Sequence, residues 1–235
     1  MTRKAVFLMA ALTVIFMAAS GDLRGRLLPY ITMPPPQVSV TQVRQNKGIE
    51  NVVLDIQYPL VCGFDDKIFE GKLNTRMITQ VNNAIADTFD QAKNNTDWVF
   101  VLRVSDDIKN NRGILSVRVT DDLDNGGTGF PRTVYYNVNI EDCCLITLDD
   151  LFVSHEYRTA IDGFIRGIVR NDEHYFADYF TGVSGKTAFF ISGRQLHITY
   201  AKYEIASGLT GEPDFAIPTP LIRKWLKPEY APLFW

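Results

Sequence analysis

Apolar residues at Leu73, Met77, Val81, Ala84, Ile85 and Phe89 recur at helical spacing with polar residues between them. That spacing builds one buried stripe and predicts a long amphipathic helix that ends at Asn94-Asn95. A second stripe, Ile161, Phe164, Ile165, Ile168 and Val169, predicts another, and Thr147-Leu148-Asp149-Asp150 ahead of it reads as a helix start. Elsewhere the period is two. Val38–Val43 and Val52–Tyr58 alternate around a Gln45–Gly48 turn and predict a hairpin, with Pro59 demoting the next residues to strand end or loop. Trp98–Val104, Ile114–Thr120 and Thr133–Ile140 are strand-like, separated by Asp106-Asp107 through Arg112-Gly113 and by Asp124-Asn125-Gly126-Gly127. In the third run Val134, Tyr136, Val138 and Ile140 oppose Tyr135, Asn137 and Asn139, as in a sheet with one face wet or lightly covered. Ala188–Ser192, Gln195–Ile205 and Phe215–Ile217 complete the strands, and a helical turn near Leu221–Leu226 comes after them. Helices interleaved with hairpin-length strand pairs predict an α+β fold: an antiparallel or mixed sheet, two main amphipathic helices, and two α/β subdomains packed together.

The opening breaks this pattern. Arg3-Lys4 precedes an unbroken apolar or small-residue run from Ala5 to Ala19, and Ser20-Gly21-Asp22 turns polar. Residues 1–20 therefore read as a secretory signal peptide cut before Gly21, with an uncleaved anchor as the second reading. Residues 21–37, with Pro34-Pro35-Pro36, read as an extended tether. The expected layout continues with an N-terminal α/β unit over 38–125, a second unit over 126–227 and a tail over 228–235. The location implied is extracytoplasmic: secreted, periplasmic or cell-surface, with membrane contact only through the N-terminal segment if it stays uncleaved.

Composition adds exclusions. The chain is 46% hydrophobic and 12% aromatic with formal charge −3, and Arg3 and Lys4 lie in the leading segment, so residues 21–235 carry −5. A mildly acidic chain without a basic cluster offers no electrostatic footprint for nucleic acid or for an anionic lipid surface. Cys62, Cys143 and Cys144 leave two readings open: a disulfide from Cys62 to one of the vicinal pair, with Cys143 as the candidate, or three packed thiols.

Catalytic constellations are missing from the sequence. His155, His174 and His197 are scattered, His155-Glu156 lacks a second His at helical spacing, and no Cys/His spacing suggests zinc, so neither metal nor cofactor is expected. Asp122–Thr133 departs from a calcium loop at its fifth and twelfth positions and reads as a hairpin turn. Neither a nucleophile elbow nor a phosphate-cradling loop is present. The aromatic cluster Tyr175, Phe176, Tyr179 and Phe180 reads as core packing, with a binding face as the alternative.

The order of several short pieces resembles a paired-domain family, the RsiV C-terminal-like extracytoplasmic domains of unknown function, also found beside PdaC-type peptidoglycan deacetylases. In the first half the resemblance rests on Ile56-Gln57-Tyr58-Pro59, Cys62-Gly63-Phe64 and Lys72-Leu73-Asn74. In the second it rests on Gly126-Gly127, Leu148–Phe152, Phe189-Phe190, Tyr203–Ala206, Gly211 and Phe215–Pro218. It implies a bacterial, non-catalytic binding or sensor-type domain for a cell-envelope ligand or a lysozyme-like protein, with lysozyme or peptidoglycan fragments as partners. The alternative is a cell-wall glycan hydrolase or an accessory module of one. Candidate ligand-binding residues are Gly126, Gly127, Arg132, Tyr203 and Glu204. With four residues ahead of the apolar run and an end at Trp235, neither a sigma-binding segment nor a deacetylase domain is expected.

Overall fold

Val52, Leu54 and Ile56 point one way and are buried, while Val53 and Asp55 point out, so strand β2 (Val52–Cys62) opens with a clean period of two. The computed structural model describes residues 38–127 and 129–234 of the chain. The signal peptide expected at 1–20 and the tether expected at 21–37 lie outside the described residues, and no described helix is long and apolar enough to cross a membrane.

Strand β1 (Ser39–Ile49) pairs antiparallel with β2 along its whole length, around a turn at Glu50-Asn51 where Glu50 takes φ 51°. The turn falls later than Gln45–Gly48, which lies inside β1, and Pro59 sits within β2 opposite Gln42. Proline is tolerated there because β2 pairs with its other neighbour only over Val52–Ile56. On the side that neighbour leaves open, the Asn74 amide stands in for a strand: Val61 N–H donates to its Oδ1, and its Nδ2 donates to Val61 C=O, both at 2.8 Å.

Asn74 belongs to α1 (Lys67–Lys93), which carries the chain from β2 to a parallel β3 (Phe100–Arg112). Its N-cap Asp66 accepts from Ile68 and Phe69 N–H, a cap worth about 1 kcal/mol. Glu70 accepts from Gly63 and Phe64 N–H, which fixes the entry angle. The buried stripe is Leu73, Met77, Val81, Ala84, Thr88 and Ala92, packed on one face of the sheet against Leu54, Ile56, Leu102, Val104, Val117 and Val138.

From β3 the sheet continues antiparallel through β4 (Ile114–Asp124), β5 (Arg132–Asn139) and the two-residue β6 (Cys144–Leu145), giving one mixed sheet in the order β1-β2-β3-β4-β5-β6. Asp106-Asp107 is not a separator. β3 runs through it to a tip at Gly113 (φ 72°), and Lys109 and Arg118 both pair with Asp107.

The second half lies on the opposite face of this sheet. Strands β7 (Phe189–Ser192), β8 (Gln195–Thr199) and β9 (Asp214–Ile217) form a three-stranded antiparallel sheet, and helices α2 (Tyr157–Val169) and α3 (Thr219–Ile222) pack with it. α2 buries Tyr157, Ile161, Ile165 and Val169. The start pattern at Thr147 makes a 3-10 turn (Asp149–Leu151) rather than the head of α2, although Asp150 does accept from both Thr147 N–H and Oγ1. A short 3-10 turn at Ala177–Tyr179 is all that forms in the aromatic stretch, which divides: Phe180 is buried while Phe176 and Tyr179 are exposed. Along β4, Ile114 belongs to the second core and Leu115 to the first, so this strand is buried on both faces.

The polar face of β5 is therefore not wet. Ser116, Asn137 and Asn139 are buried beneath the second half. The Ser116 hydroxyl donates to Asn137 Oδ1 at 2.7 Å, Asn137 Nδ2 donates to Phe189 C=O at 2.7 Å, and Ile191 N–H reaches Ser116 Oγ at 3.4 Å. Cys62, Cys143 and Cys144 are free thiols; Cys62 closes β2 within 3.0 Å of Ser39 Oγ, and Cys143 (φ 49°) stands in the β5–β6 turn.

Asn137→Ala is expected to destabilise the protein by about 3 kcal/mol, because it orphans both the Ser116 hydroxyl and the Phe189 carbonyl in a dry seam. Urea unfolding followed by far-UV circular dichroism checks this.

Candidate functional site

Where β5 leaves the β4 turn, the second half does not fully cover the sheet, and a half-open groove of about 540 Å³ remains. One wall is Pro131 with Arg132, Thr133 and Tyr135 of β5; the other is the 181–188 loop; Thr199, Tyr200, Glu204 and Glu212 form the end, with Tyr179 at the rim.

Two carboxylates face the loop wall, Asp162 from α2 and Asp149 from the 3-10 turn before it. Asp162 Oδ1 accepts from Val183 N–H at 2.7 Å. Asp149 lies so close over Gly185 that any Cβ there would collide with its carboxylate. Asp149 is held in turn by Arg158 Nη2 (2.6 and 2.7 Å to its two oxygens), by the Tyr157 hydroxyl (2.6 Å) and by His155 Nδ1 (3.3 Å). The Arg158 hydrogen bond, aided by Tyr157, pulls the Asp149 pKa from 3.8 down to about 2 against the opposing effect of burial. Burial together with the Asp149 bond pushes the Tyr157 hydroxyl up.

Two of the five sequence-derived candidates meet at the groove. Arg132 and Glu204 line the same groove. Arg132 Nε donates to Asp121 Oδ2 at 3.0 Å and its Nη1 lies 3.8 Å from Asp87, so its guanidinium is anchored from below. Glu204 Oε2 accepts from Ala201 N–H at 2.8 Å, bracing the turn that carries Tyr203. Tyr203 takes φ 69°, and its ring meets Phe130 at 5.0 Å between centroids. Lys202 Nζ donates to Gly129 C=O at 3.0 Å, so the 126–131 turn and the 201–204 turn are joined. Gly126 lies away from the groove under the Trp98 ring, and Gly127 is exposed beside it. The turn glycines shape the approach rather than line the hollow.

Periodicity and motif matching missed Lys186, Thr187, Thr199 and Glu212. The one usable signal was Tyr135, an aromatic on the polar phase of β5; burial raises its hydroxyl pKa, and its ring stacks on Phe190 at 5.2 Å. His197 stands half-buried on β8. It stacks on Phe190 at 4.4 Å and its Nδ1 lies 2.8 Å from Asp214 Oδ1. Among the described residues no cluster of three or more His, Cys, Asp or Glu could hold a metal ion.

Because the folded pKa of Asp149 lies below its ordinary value, its contribution is fully present above about pH 4 and is lost as pH falls towards 2. We expect the wild type to lose about 2 kcal/mol over that interval that Asp149→Asn does not lose, read from urea midpoints at successive pH values.

Comparison with known proteins places this geometry. Residues 149–219, from the carboxylate that carries the loop wall to the first residue of α3, match the family model described as "Protein of unknown function (DUF3298)". Among curated proteins, the anti-sigma-V factor RsiV of Bacillus subtilis (strain 168) is 19% identical over 212 residues, covering 85% of this chain and 73% of RsiV. Two crystal structures of DUF3298-family proteins share the fold. The one from Bacteroides fragilis NCTC 9343 gives TM-score 0.61 at 13% identity, covering 83% of this chain and 96% of that one. The one from Pseudomonas aeruginosa PAO1 gives 0.56 at 16% identity, covering 86% and 97%. The chain thus resembles the RsiV C-terminal-like family in sequence and in fold, with residues 149–219 carrying the match to the DUF3298 model.

Proposed function

We propose that this chain is an exported, non-catalytic binding or sensor-type domain, and that its ligand is a cell-envelope component or a lysozyme-like protein. The observation that carries the reading is the groove in which Arg132 and Glu204 face the 181–188 loop, in a chain similar to RsiV over most of its length. Arg132, Tyr203 and Glu204 are the proposed contacts, with the Gly126-Gly127 turn setting the approach. Phe130, 69% exposed and packed at a tilt against Tyr203, extends the contact surface outward. Exposed aromatic groups beside an anchored arginine are the residue types that carry binding energy at interfaces.

A hydrolase reading has one observation in its favour: Glu204 and Glu212 line the same groove. The bond from Ala201 N–H gives Glu204 a structural task instead. In the binding reading, Glu204→Gln and Glu212→Gln alter affinity without any hydrolysis to abolish, and the wild type releases no new reducing ends from peptidoglycan.

Calorimetric titration with lysozyme and with soluble peptidoglycan fragments tests the ligands. Binding of one of them, weakened about tenfold by Phe130→Ala with the thermal midpoint unchanged, supports the reading; silence with both removes the named ligands. Export is tested separately, by sequencing the N-terminus of protein recovered outside the cytoplasm, where a start at Gly21 is expected.

A further inference from the structure

The groove beside β5 is not isolated. A second hollow of about 470 Å³ lies on the β1–β4 face, where Arg44, Asp55 and Arg103 approach Ser105 and Thr120. A third, of about 530 Å³, is bordered by Ser105, Thr120, Lys202 and Glu212. Pro131 lines all three hollows, Ser105 and Thr120 are shared by the second and third, and Glu212 by the third and the first. The shared borders make one trough crossing the six-stranded sheet from β1 to β5. Four inter-strand steps at about 4.8 Å make it about 19 Å long before it enters the groove under Tyr179.

From this we infer that the trough is the binding site of a linear, uncharged oligosaccharide lying across the strands, an inference that rests on the binding-domain reading and names its ligand class. Three features select that class. First, the trough crosses sheet faces: β2 is bonded to β1 along its length and to β3 over Val52–Ile56, and β4 is bonded to both β3 and β5, so along these stretches it offers no free edge on which a peptide could add as a strand. Second, cations and carboxylates occur together in each section: Arg103 with Asp55, Lys202 with Glu212, Lys186 with Glu204. Such a lining does not favour a polyanion. It supplies both donors and acceptors to hydroxyl groups, joined by the hydroxyls of Ser105, Thr120, Thr133 and Thr187. Third, Tyr179, 68% exposed, stands at one end as a rigid ring with an apolar face and a polar tip, matched to a sugar ring that has the same two characters.

The test is calorimetry of the purified chain with chitohexaose, cellohexaose and maltohexaose and with their disaccharides. At least one hexasaccharide is expected to bind at least tenfold more tightly than its disaccharide, because only the longer chain spans the trough. Arg44→Ala at the β1 end and Tyr179→Ala at the groove end are each expected to weaken that hexasaccharide about tenfold, while at most one of them affects the disaccharide. Both side chains are exposed, and an unchanged thermal midpoint separates lost contact from lost fold. No binding by any hexasaccharide, or equal affinity at both lengths, overturns the proposal. Lysozyme binding that persists while the saccharides are silent leaves the binding-domain reading standing; silence from both removes the two together.

Discussion

Every feature of the candidate site depends on a buried polar seam. Ser116 and Asn137 occupy the face of the six-stranded sheet that ordinary patterning would give to water, and there they bind the backbone of β7. A buried amide without partners is costly, whereas one that meets a hydroxyl and a carbonyl is satisfied and also directional. Apolar residues alone would let the second half slide across the sheet. The seam sets its position, and with it the gap left open beside Tyr135.

That seam also explains what the sequence made legible. The two amphipathic helices and most of the strands came from periodicity, because each of them buries one side against a single core. β5 misled for the opposite reason: it is buried on both sides, and its second side is polar but satisfied. Asp106-Asp107 likewise looked like a turn, yet Lys109 and Arg118 pair with Asp107 and keep the strand extended to Gly113. His197 escaped recognition because its partners, Phe190 and Asp214, lie on two other strands.

The site was legible only in part. Tyr203 and Glu204 came from a resemblance between ordered short pieces, and Lys202 and Phe130 tie their turn to the 126–131 turn that leads into Arg132. Lys186 and Glu212 could not be foreseen. They reach the groove through loops whose paths are set by contacts far away in sequence, and no local pattern encodes such a path. The Asp149 cluster shows the difficulty: four residues within ten positions converge, yet their product is the placement of a loop some thirty residues on.

The way that loop is hung has a consequence for divergence. α2 holds the 181–188 segment at the Val183 amide, and Asp149, braced by Arg158 and Tyr157 of α2, fits closely over Gly185, so the grip falls on main chain. The neighbouring side chains that look into the groove bear little of that load. Residues such as Lys186 can then be exchanged while the wall stays where it is. Relatives that share a fold at 13–16% identity can in this way keep one scaffold and alter the side chains that line its groove.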